Sequence, residues 1–190
     1  MKKTLLLYLL LAMCWGVAGC AKEEIDPVAK LSGVWRMDAE RNRALWDEFI
    51  QTVPENDRER QTRLYNNPIF LVIDMQQGQS FGINIHNYNR LPWETPAAIT
   101  VTSVNGPAVK IHAVTILSSG YRLEQDYEYV LINENELYTR SFGYQVFNPD
   151  GELEASHTPT EAEADKLVYA IRVSSDPHAL QSALSSFVGE

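Results

Sequence analysis

Thiols are almost missing from this chain. Its two cysteines, Cys14 and Cys20, both fall among the first twenty residues, and none follows. The region beyond residue 20 therefore has no disulfide, cysteine nucleophile or cysteine metal ligand, and a hydrophobic core must hold it together. Basic charge is scarce as well, with 16 Lys and Arg against 25 Asp and Glu for a net charge of −9. Without a basic cluster the chain is ill suited to a phosphate backbone or to anionic lipid, so no nucleic-acid partner is expected.

Past residue 19 no apolar run approaches the roughly 20 residues that a spanning helix needs. Motifs of catalysis and metal binding are lacking too. No Gly-x-Ser-x-Gly, Ser-x-x-Lys or His-Glu-x-x-His occurs, so no enzyme is expected. His86 and His112 fall in expected strands without a second ligand at the right spacing, and His157 and His178 read as loop and helix-start residues. Zinc needs three or four converging ligands, and neither a metal nor a cofactor is expected. Glu124, Asp126 and Glu128 alternate with Tyr127 and Leu123, the pattern of a solvated strand face rather than of an acid/base pair.

What is present begins at the start. Lys2 and Lys3 precede an apolar stretch over residues 4–15, and Val17-Ala18-Gly19-Cys20 follows. A basic start, a short apolar core and small residues before a cut fit a secretory signal. The Val-Ala-Gly-Cys quartet resembles the lipobox of bacterial lipoproteins. That resemblance implies a signal peptide over residues 1–19 and acylation of Cys20, with membrane attachment by lipid alone. Ala21 and Lys22 lack the Asp that retains many such lipoproteins in the inner membrane, which implies the outer membrane, facing the periplasm. Losing residues 1–19 removes two lysines and no acid, so the processed chain is near −11.

Residues 20–30, polar and with Pro27, read as the lipidated Cys and a tether, and residues 31–190 as a single domain. Gly33 and Trp35 lie two apart on one face of a first strand. Leu45, Trp46, Phe49 and Ile50 recur at helical spacing, and a second, short helix is expected after Pro54, anchored by Leu64 and Tyr65. From residue 69 the period becomes two. Expected strands cover residues 69–76, 81–85, 99–104, 109–117, 121–131, 136–147, 152–156 and 167–173, mostly joined by short turns. Asn105-Gly106 is the strongest tight-turn signal, with Pro107 suggesting a longer loop. Asp176 is placed to cap a terminal helix over residues 177–187.

One strand, a helix pair and about eight more strands would leave an exposed edge unless the sheet closes, so an up-and-down antiparallel barrel is expected. A β-sandwich is the alternative. Gly33-Val34-Trp35 resembles the first-strand signature of the calycins, the lipocalin and fatty-acid-binding-protein superfamily, and the helix pair directly after that strand resembles the fatty-acid-binding branch. The resemblance implies a late-strand arginine over the tryptophan, and Arg172 holds that position, making Gly33, Trp35 and Arg172 structural. The Arg-x-Tyr carboxylate clamp of that branch is absent, since Tyr169 and Arg172 have a different spacing.

Gln125, Tyr127 and Tyr129 on the presumed inner face mix polar tips with aromatic area, and Thr139 and Ser141 on the next strand can join them. They are candidate ligand contacts, or else they only fill the barrel. Trp46 and Phe49 are candidates for a lid over a cavity or a plug at its mouth. The leading expectation is a non-enzymatic, lipid-anchored barrel that binds a small apolar or amphipathic ligand. The alternative is an interaction module for an envelope protein, serving assembly or enzyme inhibition, with Tyr88, Leu91 and Trp93 as its contact.

Overall fold

The computed structural model describes residues 26–84 and 96–180. Among the described residues lie nine strands and four α-helices: α1 (Pro27–Leu31), β1 (Gly33–Met37), α2 (Arg43–Thr52), α3 (Glu55–Tyr65), β2 (Ile69–Asp74), β3 (Gln79–Asn84), β4 (Ala97–Asn105), β5 (Ala108–Ile116), β6 (Arg122–Asn133), β7 (Glu136–Phe147), β8 (Leu153–His157), α4 (Glu161–Ala164) and β9 (Val168–Ser174). Consecutive strands pair antiparallel from β1 to β7, β7 pairs β9, and β9 returns to β1. Eight strands thus close into a calycin-like barrel, and the sandwich is excluded because no strand boundary separates two sheets. Closure satisfies the backbone groups that an open edge would leave unpaired.

β8 is the strand left outside the ring. It pairs with the far half of β7, at Tyr144–Phe147, while β9 takes the near half, at Glu136–Thr139, along the same edge. Among the described residues the β3–β4 seam pairs Gln79 with Ala98 and Ser80 with Ala97.

Alternation sorts side chains into two cores. Inside lie Trp35, Ile73, Ile99, Val109, Ile111, Tyr129, Leu131 and Leu137, with Leu31 of α1 plugging one end. Outside β1 to β3, a second cluster of Val34, Phe70, Val72 and Ile83 is covered by Leu180. β2 is therefore apolar on both faces, which explains the strongly apolar run over residues 69–73. Asp176 caps a single 3-10 turn, Pro177–Ala179, by accepting from the His178 N–H at 2.9 Å. The remainder of the expected terminal helix lies outside the described residues.

Four expectations are corrected. Residues 27–30 are not a free tether, because α1 is capped by Asp26, buries Leu31 completely and packs on β5 and β6. The second helix is not short: α3 runs eleven residues, braced by Trp46 and Phe49 on Tyr65 and by the Arg58 guanidinium on the Val53 and Gln51 carbonyls. Pro107 does not lengthen its loop, since Asn105 pairs Ala108 and Gly106 takes φ +55°. The acidic face of β6 is not uniformly wet, for Glu128 is 6% exposed and accepts from the Arg140 Nε at 2.6 Å.

Candidate binding site

Register places the inner-face candidates side by side. On β6 and β7, Tyr129 stands opposite Thr139, and Tyr127 opposite Ser141, while Gln125 is opposite Tyr144 after a bulge that sets Phe142 aside. Across β5, Tyr129, Tyr127 and Gln125 meet Val109, Ile111 and Ala113. Directly opposed residues share a face. Val109, Ile111 and Ala113 are core residues, so Gln125, Tyr127, Tyr129 and Thr139 lie on the inner face, while Ser141, beside the bulge, is exposed.

Their environment is graded. Tyr129 is 4% exposed, and burial, with Tyr127 nearby, raises its hydroxyl pKa. Tyr127 is pushed up to about 12 by burial, opposed by a hydrogen bond with the Gln125 side chain. The two rings lie 6.2 Å apart at 36°. Thr139 Oγ1 is buried with no hydrogen-bond partner among the described residues, while Ser141 Oγ accepts from the Gly143 N–H at 3.2 Å. An unsatisfied buried hydroxyl costs roughly 1–3 kcal/mol, and a polar ligand atom would remove that cost.

The floor beneath these residues is solid. Trp35 is fully buried, its indole N–H donates to the Leu31 carbonyl at 2.9 Å, and the Arg172 guanidinium stacks 4.0 Å from its ring centroid. Arg172 also donates to the carbonyls of Glu134 at 2.6 Å, Ser32 at 2.8 Å and Lys30. Gly33 is required here: at φ +142° an added Cβ would sit 2.3 Å from the Ser174 carbonyl oxygen. On β3 the inward positions are small. Ser80 and Gly82 oppose the core residues Ile73 and Leu71, and Ala97 and Ala113 lie nearby on β4 and β5.

Comparison with known protein families, characterised proteins and solved structures finds no match. Function has to be argued from the site.

Trp46 and Phe49 are not brought to this inner set. They meet Tyr65, at 5.2 Å stacked and 5.6 Å edge-on, and Trp46 and Tyr65 line a groove of about 420 Å³ with Met37, Ile69 and Ile171. Asn42 holds the helix pair there. Fully buried, it donates to the Tyr169 carbonyl at 2.8 Å and accepts from the Tyr169 N–H at 2.9 Å, extending β9 by one side chain. Sequence reasoning missed Asn42, because an isolated Asn before a helix reads as a cap. Lys30 and Glu134, which pair beside Arg172, were missed as well; nothing local marks two residues 104 apart. Tyr88, Leu91, Trp93 and His86 lie outside the described residues. His112 is on the outer face between Asp126, at 2.9 Å, and Glu124, at 3.7 Å, and no metal-binding cluster occurs among the described residues.

Proposed function

We propose that this protein is a non-enzymatic carrier or sensor of a small apolar or amphipathic molecule, bound inside the barrel and held by an acylated Cys20 at the periplasmic face of the outer membrane. The observation that carries this reading is the inward set Gln125, Tyr127, Tyr129 and Thr139, with the Thr139 hydroxyl unpartnered above a sealed floor. Aromatic area with a few convergent polar tips is the composition of ligand pockets. The amide and the phenols would orient a polar end, and the small residues around Gly82 and Ala113 would admit the apolar remainder.

Titration of the unacylated domain with 8-anilinonaphthalene-1-sulfonate, and competition by a series of medium- and long-chain fatty alcohols, tests this. Saturable one-to-one binding that Ala113→Phe abolishes, with an unchanged circular dichroism spectrum, is expected. Absence of saturable binding, or binding indifferent to Ala113→Phe, overturns it.

A second reading, an interaction module for an envelope protein, has its own support. Ile116, Arg122, Phe147 and Leu153 are cross-strand neighbours on the outer face, with Ile116 50% and Leu153 54% exposed and Arg122 stacked 4.3 Å over Phe147. Apolar residues around an aromatic–Arg pair are typical of partner contacts. Site-specific photocrosslinking from Leu153 in cells would capture a discrete partner under this reading, and no adduct would count against it.

A further inference from the structure

We infer that the closed end of the barrel rests on the bilayer to which Cys20 is anchored, so that the opposite end faces away from the membrane. The inference rests on acylation of Cys20 and deepens the proposed function, because it decides from which side a ligand enters. Only six peptide links separate Cys20 from Asp26, where α1 begins, and they span about 20 Å when fully extended. α1 is fixed to the barrel floor by the burial of Leu31 and by the hydrogen bonds from Arg172 to Lys30 and Ser32. The anchor is therefore delivered to the closed end rather than to a swinging tail.

That end carries the surface such a position calls for. A groove of about 360 Å³ beside Pro27 is lined by Pro107, Leu131 and Ile132. Ile132 is 45% exposed, and Val104, opposite Val109 in the hairpin that supplies Pro107, is 48% exposed. Among the described residues the charges beside the groove are engaged: Lys30 pairs with Glu134, and Asp26 caps the Val28 N–H. A weakly charged apolar patch suits the interface of a zwitterionic bilayer better than water. The end of the barrel beyond Tyr127 and Gln125 lies at the other end of strands twelve residues long.

The test uses the acylated chain in phosphatidylcholine vesicles doped with nitroxide lipid. Acylation of Cys20 leaves no free thiol in the processed chain, so Asn105→Cys at the closed end and Ser119→Cys at the far end each accept one fluorophore. Quenching at position 105 several-fold stronger than at 119 is expected, and Ile132→Asp should reduce that ratio toward one while both proteins still float with the vesicles. Equal quenching in an acylated, vesicle-bound chain overturns the docking alone. A chain that carries no acyl mass and stays in the aqueous phase overturns the anchor and the docking with it. Shielding of position 105 that depends on protein concentration without vesicles shows a second copy in the groove, and also overturns the docking.

Discussion

Arg172 lies over the face of Trp35, 4.0 Å from its centroid, and it spends its guanidinium donors on three carbonyls of the barrel floor. The pair joins the first strand to the last, ties both to α1, and seals the end opposite the polar inner face. Burial of the guanidinium lowers its pKa and the Glu134 carboxylate opposes that shift.

Arg172→Ala removes the cation–π contact and the donor to two part-buried carbonyls and one exposed carbonyl, and should cost about 1–3 kcal/mol of stability. Arg172→Lys should recover only part, since an ammonium cannot reach three carbonyls in a plane. Urea unfolding followed by Trp fluorescence measures both. A loss under 1 kcal/mol for the Ala variant would show that the floor holds without the arginine.

Thr139→Val replaces a hydroxyl with no partner by a methyl group of similar size. Stability should stay level or rise by up to about 1 kcal/mol, whereas affinity for an amphipathic ligand should fall. Thermal unfolding and fluorescence competition separate the two effects. A substantial destabilisation would mean that the hydroxyl is satisfied in solution.

Burial raises the pKa of Tyr127 to about 12 and raises that of Tyr129 from the ordinary value. Groups that hold their protons more tightly when folded contribute stability in full below the unfolded value near 10, and that contribution is lost as the pH climbs through the folded value. Stability should therefore decline between pH 10 and about 12. Tyr127→Phe should make the decline shallower. Urea midpoints at pH 8, 10 and 11, with phenolate absorbance recorded in parallel, provide the check; phenolate appearing below pH 10 from these two rings would contradict their burial.

Asn42→Ala removes both hydrogen bonds to Tyr169 and leaves the Tyr169 N–H unpaired, while the Tyr169 carbonyl still accepts from the Asp38 N–H at 2.9 Å, at a cost of about 1–3 kcal/mol. Because Asn42 starts α2, amide exchange should accelerate first in α2 and α3 and not in β5 and β6. Uniform acceleration across the barrel would show instead that the helix pair and the barrel unfold as one unit.

Leu180→Ala uncovers Val34, Phe70 and Val72 on the outer face of the barrel. A loss of about 2–4 kcal/mol is expected from the apolar contacts removed. Denaturant unfolding decides it, and a cost below 0.5 kcal/mol would mean that this face is covered by something other than Leu180.

Much of this architecture is written locally. The period of two from residue 69 onward, the Asn105-Gly106 turn and the need to remove a sheet edge together imply a closed barrel, and the alternation around Tyr127 assigns its inner face correctly. Gly33-Val34-Trp35 points to the floor. Burial of Ile83, with Phe81 partly buried beside it, on the outer side of β3 was not legible, because alternation shows that two faces differ but not which one is covered. The status of Glu128 was hidden for the same reason: its partner, Arg140, comes from the facing strand.

By itself the sequence determined the strands, their turns, the lack of thiol chemistry beyond Cys20 and the excess of negative charge, since each follows from residue identity and spacing along the chain. Only the tertiary structure decided that residues 27–31 belong to the barrel floor, that Asn42 extends β9, and that the Thr139 hydroxyl is buried without a partner among the described residues. Those facts depend on residues far apart in sequence meeting in space, and it is ring closure that brings them together.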